Sequence, residues 1–168
     1  ILSSGAGNTI AGNFVGTDLA GIAAQPNNFG VIASGTSLVG GNAVSERNLI
    51  SGNSSTGLTL QSGAVARGNW IGLNATGAAA LGNAAGVVVA DSTLGGAAAG
   101  AGNVVSGNIG NGVQVSGIGS IAQGNRIGTN ASGSAVVANG GYGIWVVGDT
   151  GGLVGGSTAA AGNLVSGN

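Results

Sequence analysis

Residues 13–18 read NFVGTD, and the same shape returns as NLISGN (48–53), NWIGLN (69–74), NVVSGN (103–108), NRIGTN (125–130) and NLVSGN (163–168). Each copy has the form N-x-[VI]-x-x-[ND], and its third residue is β-branched every time: Val15, Ile50, Ile71, Val105, Ile127 and Val165. Six copies in 168 residues average 28 residues each. A period in that range is the signature of a solenoid, in which each repeat buries its apolar face only against its neighbours.

Working outward, a Gly followed by a short apolar strand precedes all but the first copy: GVIA (30–33), GLTL (57–60), GVVV (86–89), GVQV (112–115) and GIWV (143–146). A third apolar point falls between the two segments at Leu38, Val65, Leu94, Ile121 and Leu153. Each copy therefore carries three short strand-like pieces separated by Gly and Asn turns. Alternation places Val113 and Val115, or Leu58 and Leu60, inward, with Gln114 and Thr59 outward. Long connections precede the N-x-[VI] strand in one kind of copy (GGNAVSER, GGAAAGAG, GGSTAAAG) and follow it in the other (LAGIAAQPNN, ATGAAALGNAA, ASGSAVVANGG). Asn13, Asn69 and Asn125 are consequently 56 residues apart, so the higher-order unit is a double coil whose long loops leave from two corners in turn.

These periods predict an all-β fold, a parallel β-helix of about six coils with three short strands per coil. At about 4.8 Å per coil the stack would be roughly 29 Å tall. The expected coils of a single domain over 1–168 are 1–29, 30–56, 57–85, 86–111, 112–142 and 143–168. The opening ILSSGAGN has neither the basic start nor the apolar centre of a signal peptide, and the chain reads as an internal fragment or repeat unit of something longer.

The runs RNLISGN, GNWIGLNATGAAALGN and GNRIGTNASG resemble the repeats of right-handed parallel β-helix regions in large exported bacterial surface proteins, a pectate-lyase-like architecture. The resemblance covers essentially the whole chain, and it implies right-handed winding and an extracellular or cell-surface setting.

Composition removes most chemistry. The chain has 39 Gly, three Lys or Arg, four Asp or Glu and no His, Cys or Met. So sparse a charge gives no basic footprint for nucleic acid, and the usual zinc, haem and thiol ligands are missing. No apolar run reaches the roughly 18 residues of a membrane span. There is neither a Walker-type phosphate loop nor a calcium-binding GGxGxD run. We therefore expect no cofactor, no metal, no nucleic-acid partner and no membrane insertion. Asp91 and Asp149 fall in the same turn of copies separated by a whole coil, roughly 10 Å apart, too far to share a calcium ion, whose oxygen ligands lie within about 2.3–2.6 Å. Asp18, Glu46, Arg67 and Arg126 add no clustered catalytic set around them.

The strongest chemical feature is two rows of Asn. One holds Asn13, Asn48, Asn69, Asn103, Asn125 and Asn163; the other is expected to hold Asn53, Asn74, Asn108, Asn130 and Asn168, with Asp18 standing in for the first copy. Amides one strand spacing apart can bond head to tail up a stack, so both rows are read as structural ladders. Sequons at Asn53, Asn74 and Asn130 are by-products of ladder residues followed by turn residues.

The residue after the first-row Asn is Phe14, Leu49, Trp70, Val104, Arg126 and Leu164, opposite in parity to the buried column yet apolar in five of six. Trp145 and Ile32 are outward by the same alternation. Such a stripe is either an interaction surface, with Phe14, Trp70, Arg126 and Trp145 as contacts, or is covered by the Ala-rich loops.

Together these features predict a non-catalytic structural rod of a secreted protein: a spacer, an adhesin stalk or a fibre subunit stacking end to end or on flanking coils. The alternative is a β-helix that binds or cleaves a cell-surface polysaccharide, using Trp70, Trp145 and Tyr142 as platforms and Asp91 or Asp149 as acids.

Overall fold

The computed structural model describes residues 1–168 and is a parallel β-solenoid of six coils, three strands to a coil. Sheet 1 stacks Leu2–Ser3, Val31–Ser34, Thr56–Gln61, Ala85–Ala90, Val113–Ile118 and Ile144–Thr150 in that order. Sheet 2 stacks Thr9–Ile10, Leu38–Gly40, Val65–Arg67, Thr93–Gly95, Ile121–Gln123 and Leu153–Val154. Sheet 3 stacks Phe14–Val15, Leu49–Ile50, Trp70–Ile71, Val104–Val105, Arg126–Ile127 and Leu164–Val165. Every pair within the sheets is parallel and joins successive coils, with one register shift between Val115 and Gly117 in the last pair of sheet 1.

Register turns the sequence periods into columns. In sheet 1, Val31, Leu58, Val87 and Val113 lie one above another, as do Ala33, Leu60, Val89 and Val115, and all eight are buried. Sheet 3 contributes Val15, Ile50, Ile71, Val105 and Ile127 to the same interior. β-Branched residues suit such columns because their stiff side chains pack identically on each pleat. Val146, Val154 and Val165 continue the columns into the sixth coil and are half-exposed, since only the fifth coil covers them.

Sheet 2 differs from the sequence pattern by one residue. Leu38, Val65, Thr93, Ile121 and Leu153 share an outward row, and the buried column is Ile10, Val39, Ala66, Leu94 and Ala122. Of the apolar points in the third segment, only Leu94 faces the core. A strand of two or three residues shows too little alternation to reveal its parity, and a slip of one residue exchanges the two faces.

Loops leave from two corners in alternation. Even coils carry their long connection between sheets 2 and 3, closed by a 3₁₀ turn at Val44–Glu46 in the second coil and at Ala159–Ala161 in the sixth. Odd coils carry a small antiparallel hairpin after sheet 3, marked by the bridges Thr17 to Ala24, Leu73 to Ala80 and Thr129 to Val136. The corner between sheets 1 and 2 takes only two or three residues in the second to sixth coils.

Candidate functional site

The densest polar chemistry is internal. In the first row, Nδ2 of Asn13, Asn48, Asn69, Asn103 and Asn125 donates to Oδ1 of the Asn in the next coil at 2.9–3.1 Å, ending at Asn163. The same Oδ1 also accepts the main-chain N–H of the Asn below. The remaining amide proton returns to a main-chain carbonyl one coil back, for example Asn103 to Ala66 at 3.0 Å and Asn125 to Leu94 at 3.0 Å. Asn48, Asn69 and Asn103 are fully buried, and a buried amide with all its valences used is the condition under which a polar core row adds cohesion rather than strain.

The second ladder differs in membership from the expected row. It runs Asn27, Asn53, Asn83, Asn108, Asn139, Asn168, with Nδ2 to Oδ1 distances of 2.7–3.1 Å. Asn53, Asn108 and Asn168 take the places read from the sequence, whereas Asp18, Asn74 and Asn130 do not. Those three close the hairpins of the odd coils. Asp18 Oδ1 accepts the N–H groups of Ile22 at 2.9 Å and Ala23 at 3.1 Å. Asn74 Oδ1 accepts Thr76 Oγ1 and the Ala79 N–H, and Asn130 Oδ1 accepts the N–H groups of Ser134 and Ala135. Each hairpin is an insertion between the strand and its ladder residue, so the true rung lies nine positions later in the chain. The signal is present in the sequence, because Asn27, Asn83 and Asn139 are themselves 56 residues apart.

The Asp18 carboxylate is held below its ordinary range by these N–H bonds, from Ala23 first and Ile22 second. A depressed folded-state value means the contribution is present above the ordinary carboxylate pKa and is lost as the pH falls through the lowered one. The protection of the Ile22 and Ala23 amides, their exchange measured against that of an unfolded chain at the same pH, should therefore fall on acidification. Asp18→Asn, which reproduces the group at Asn74 and Asn130, should remove that pH dependence while leaving the fold intact; equal acid sensitivity in both proteins would contradict the assignment.

The outward row of sheet 3 has two fates. Hairpin tips lie over it, where a methyl on Gly21 would meet Phe14 and Leu49, and one on Gly77 would meet Trp70. The tips also bond to each other, Ala75 N–H to Gly21 O and Ala131 N–H to Gly77 O, both 2.8 Å. Leu49 and Val104 are buried beneath this cover and Trp70 is half-buried, but Phe14, Arg126 and Leu164 remain exposed. Two shallow clefts repeat along the row. The first, about 210 Å³, lies between Phe14 and Trp70 over Leu49; the second, about 150 Å³, lies between Trp70 and Arg126 over Val104. Arg47 belongs to both, its Cζ 4.1 Å above the Trp70 ring and its Nε donating to Gly68 O at 3.2 Å. Partial burial draws its guanidinium below the ordinary arginine value, and it remains a cation. Arg67, on sheet 2, buries its Nε without a partner.

Trp145 is exposed on sheet 1, its ring centroid 6.4 Å from that of Tyr142. At the narrow corner, Asp91 Oδ1 accepts the Ile118 N–H at 2.6 Å, and Asp149 Oδ1 accepts the Ser120 N–H at 3.4 Å. Both carboxylates are thus anchored to the fifth coil, which stands between them. Glu46 closes its own loop by accepting the Ala43 N–H at 2.9 Å. No three Asp or Glu residues gather where they could hold a metal ion, and no helix is long and apolar enough to cross a membrane. Comparison with known proteins returns no match, whether to family models, curated proteins or solved structures.

Proposed function

We propose that this chain is a structural β-helical rod of a secreted or cell-surface protein, wound right-handed, serving as a spacer, stalk or self-stacking fibre subunit. The observation that carries the reading is the pair of buried amide ladders, which commit the chain's most abundant hydrogen-bonding side chain to holding coil on coil. The ladders are also polar. Each Nδ2 points toward the following coil, so Asn13 and Asn27 offer acceptors on one side, and Asn163 and Asn168 offer donors on the other. A flanking coil, or a second copy placed head to tail, would extend both rows and cover the half-exposed Val146, Val154 and Val165.

Negative-stain images and sedimentation across a concentration series test this. Expected are threads that lengthen with concentration; compact monomers at every concentration would overturn self-stacking. The exposed Tyr142 and Trp145 pair favours a second reading, a surface on which polysaccharide stacks. Incubation with a panel of acidic and neutral polysaccharides separates the two, because cleavage that disappears in Asp91→Asn or Asp149→Asn would replace the rod with an enzyme.

A further inference from the structure

The geometry points to lateral packing of a second copy of this chain, its narrow Asp91–Ile118–Asp149 corner seated in the cleft between Trp70 and Arg126 on sheet 3; the inference rests on the rod reading and extends it sideways. The cleft is cationic, lined by Arg47 and Arg126 and by no carboxylate. Its apolar floor is Val104, which lies in register between Trp70 and Arg126. The Arg47 guanidinium stands over Trp70 in the third coil and Arg126 belongs to the fifth, so the two cations are separated by two strand spacings, about 9.6 Å.

The opposite corner carries the matching pattern. Asp91 belongs to the fourth coil and Asp149 to the sixth, again two strand spacings apart, with Gly117 in register between them and the exposed Ile118 one residue further along the strand. Oδ1 of each Asp is bound to the fifth coil; Asp91 is exposed, and Asp149 is half-buried with its Oδ2 beside Gly152. This corner has no long loop. The cleft lies between the second coil's 3₁₀ connection and the fifth coil's hairpin, so it is a groove. Two copies in the same orientation, slipped by one coil, pair Asp91 with Arg47 and Asp149 with Arg126. Such an interface is heterologous and does not close, so it propagates into a staggered sheet of rods.

Charge reversal on the full chain tests the contact. Arg126→Asp and Asp149→Arg should each raise the concentration needed for lateral association by at least about tenfold, read by sedimentation velocity and by particle width in negative stain. An equimolar mixture of the two variants re-creates an opposite-charge pair at every interface and should restore wild-type association, with all of these assemblies loosened by high salt. Arg126→Gln and Asp149→Asn, checked by thermal melting, give the same reading if either reversal disturbs folding. Wild-type particles that only lengthen and never widen, single variants that associate like the wild type, or a mixture as weak as its components would each overturn the lateral contact. Lengthening without widening would leave the rod reading standing, whereas polysaccharide cleavage would remove it.

Discussion

Asn103→Leu is expected to lower unfolding free energy by about 3–5 kcal/mol, measured by denaturant titration, although Leu has the same number of heavy atoms as Asn and branches at the same carbon. Asn103 occupies the middle of the first ladder, where its Oδ1 accepts both the main-chain and side-chain N–H of Asn69 and its Nδ2 donates to Asn125 Oδ1 and Ala66 O. A leucine satisfies none of these. The Asn69 main-chain N–H and Ala66 O lose the partner that Asn103 gave them, at about 1–3 kcal/mol for each buried group left unpaired, while Asn125 Oδ1 keeps the main-chain N–H of residue 103. Asn69 Nδ2 keeps its bonds to Val39 O and Arg67 O, which holds the total below the simple sum. The effect is cooperative, because a solenoid coil is stabilised only through its neighbours and a weakened fourth coil loosens the stack on both sides. Asn130→Ala is the matched comparison, since it removes only bonds within an exposed hairpin, from the Ser134 and Ala135 N–H groups and Ser132 Oγ and to Ser134 Oγ, and should cost no more than about 1 kcal/mol. Equal losses from the two substitutions would mean the ladder contributes nothing beyond an ordinary surface turn.

The contrast between Asn103 and Asn130 also marks how much of the fold is legible in the amino-acid sequence. The first ladder is legible because its Asn directly precedes the strand whose β-branched residue enters the core, so strand and rung are one local unit. The second ladder follows a connection of variable length. In even coils the rung comes three residues after the core Val or Ile, as Asn53 follows Ile50; in odd coils a hairpin intervenes and the rung waits until Asn27, Asn83 or Asn139. Asp18, Asn74 and Asn130 hold the expected sequence position but spend their oxygen on the hairpin's own N–H groups, a local competition that Asp and Asn commonly win in turns. The stripe on sheet 3 is legible as apolar, but its division into buried Leu49 and Val104 against exposed Phe14 and Leu164 depends on where the hairpin tips fold back. That placement is set by contacts between coils, such as Ala75 N–H to Gly21 O, and no single repeat contains it. The Arg47, Trp70 and Arg126 cleft is likewise assembled from three coils.

Gly72→Ala is the second substitution with a large expected cost, about 2–5 kcal/mol, combining about 1–2 kcal/mol for a left-handed alanine with about 1–3 kcal/mol for forced overlap. Gly16, Gly72 and Gly128 stand at the point where each odd coil leaves sheet 3 for its hairpin, with φ of 88°, 90° and 86°. The following even coil has no hairpin and runs straight across that point, so its backbone lies against the glycine. A methyl on Gly72 would strike the Ser106 carbonyl oxygen and Asn108 Oδ1, the latter a rung of the second ladder. Relief would require moving Asn108, which would break its bonds to Asn83 and Asn139. Gly119 isolates the conformational part: its φ is +67° but nothing lies within 4 Å of the added methyl, so Gly119→Ala should cost only about 1–2 kcal/mol. Denaturant midpoints of the two variants measured side by side decide the matter. A larger loss for Gly72→Ala assigns the excess to coil-on-coil contact, whereas equal losses would mean that the even coils do not press on the odd ones at this corner and that the glycine column answers to backbone conformation alone.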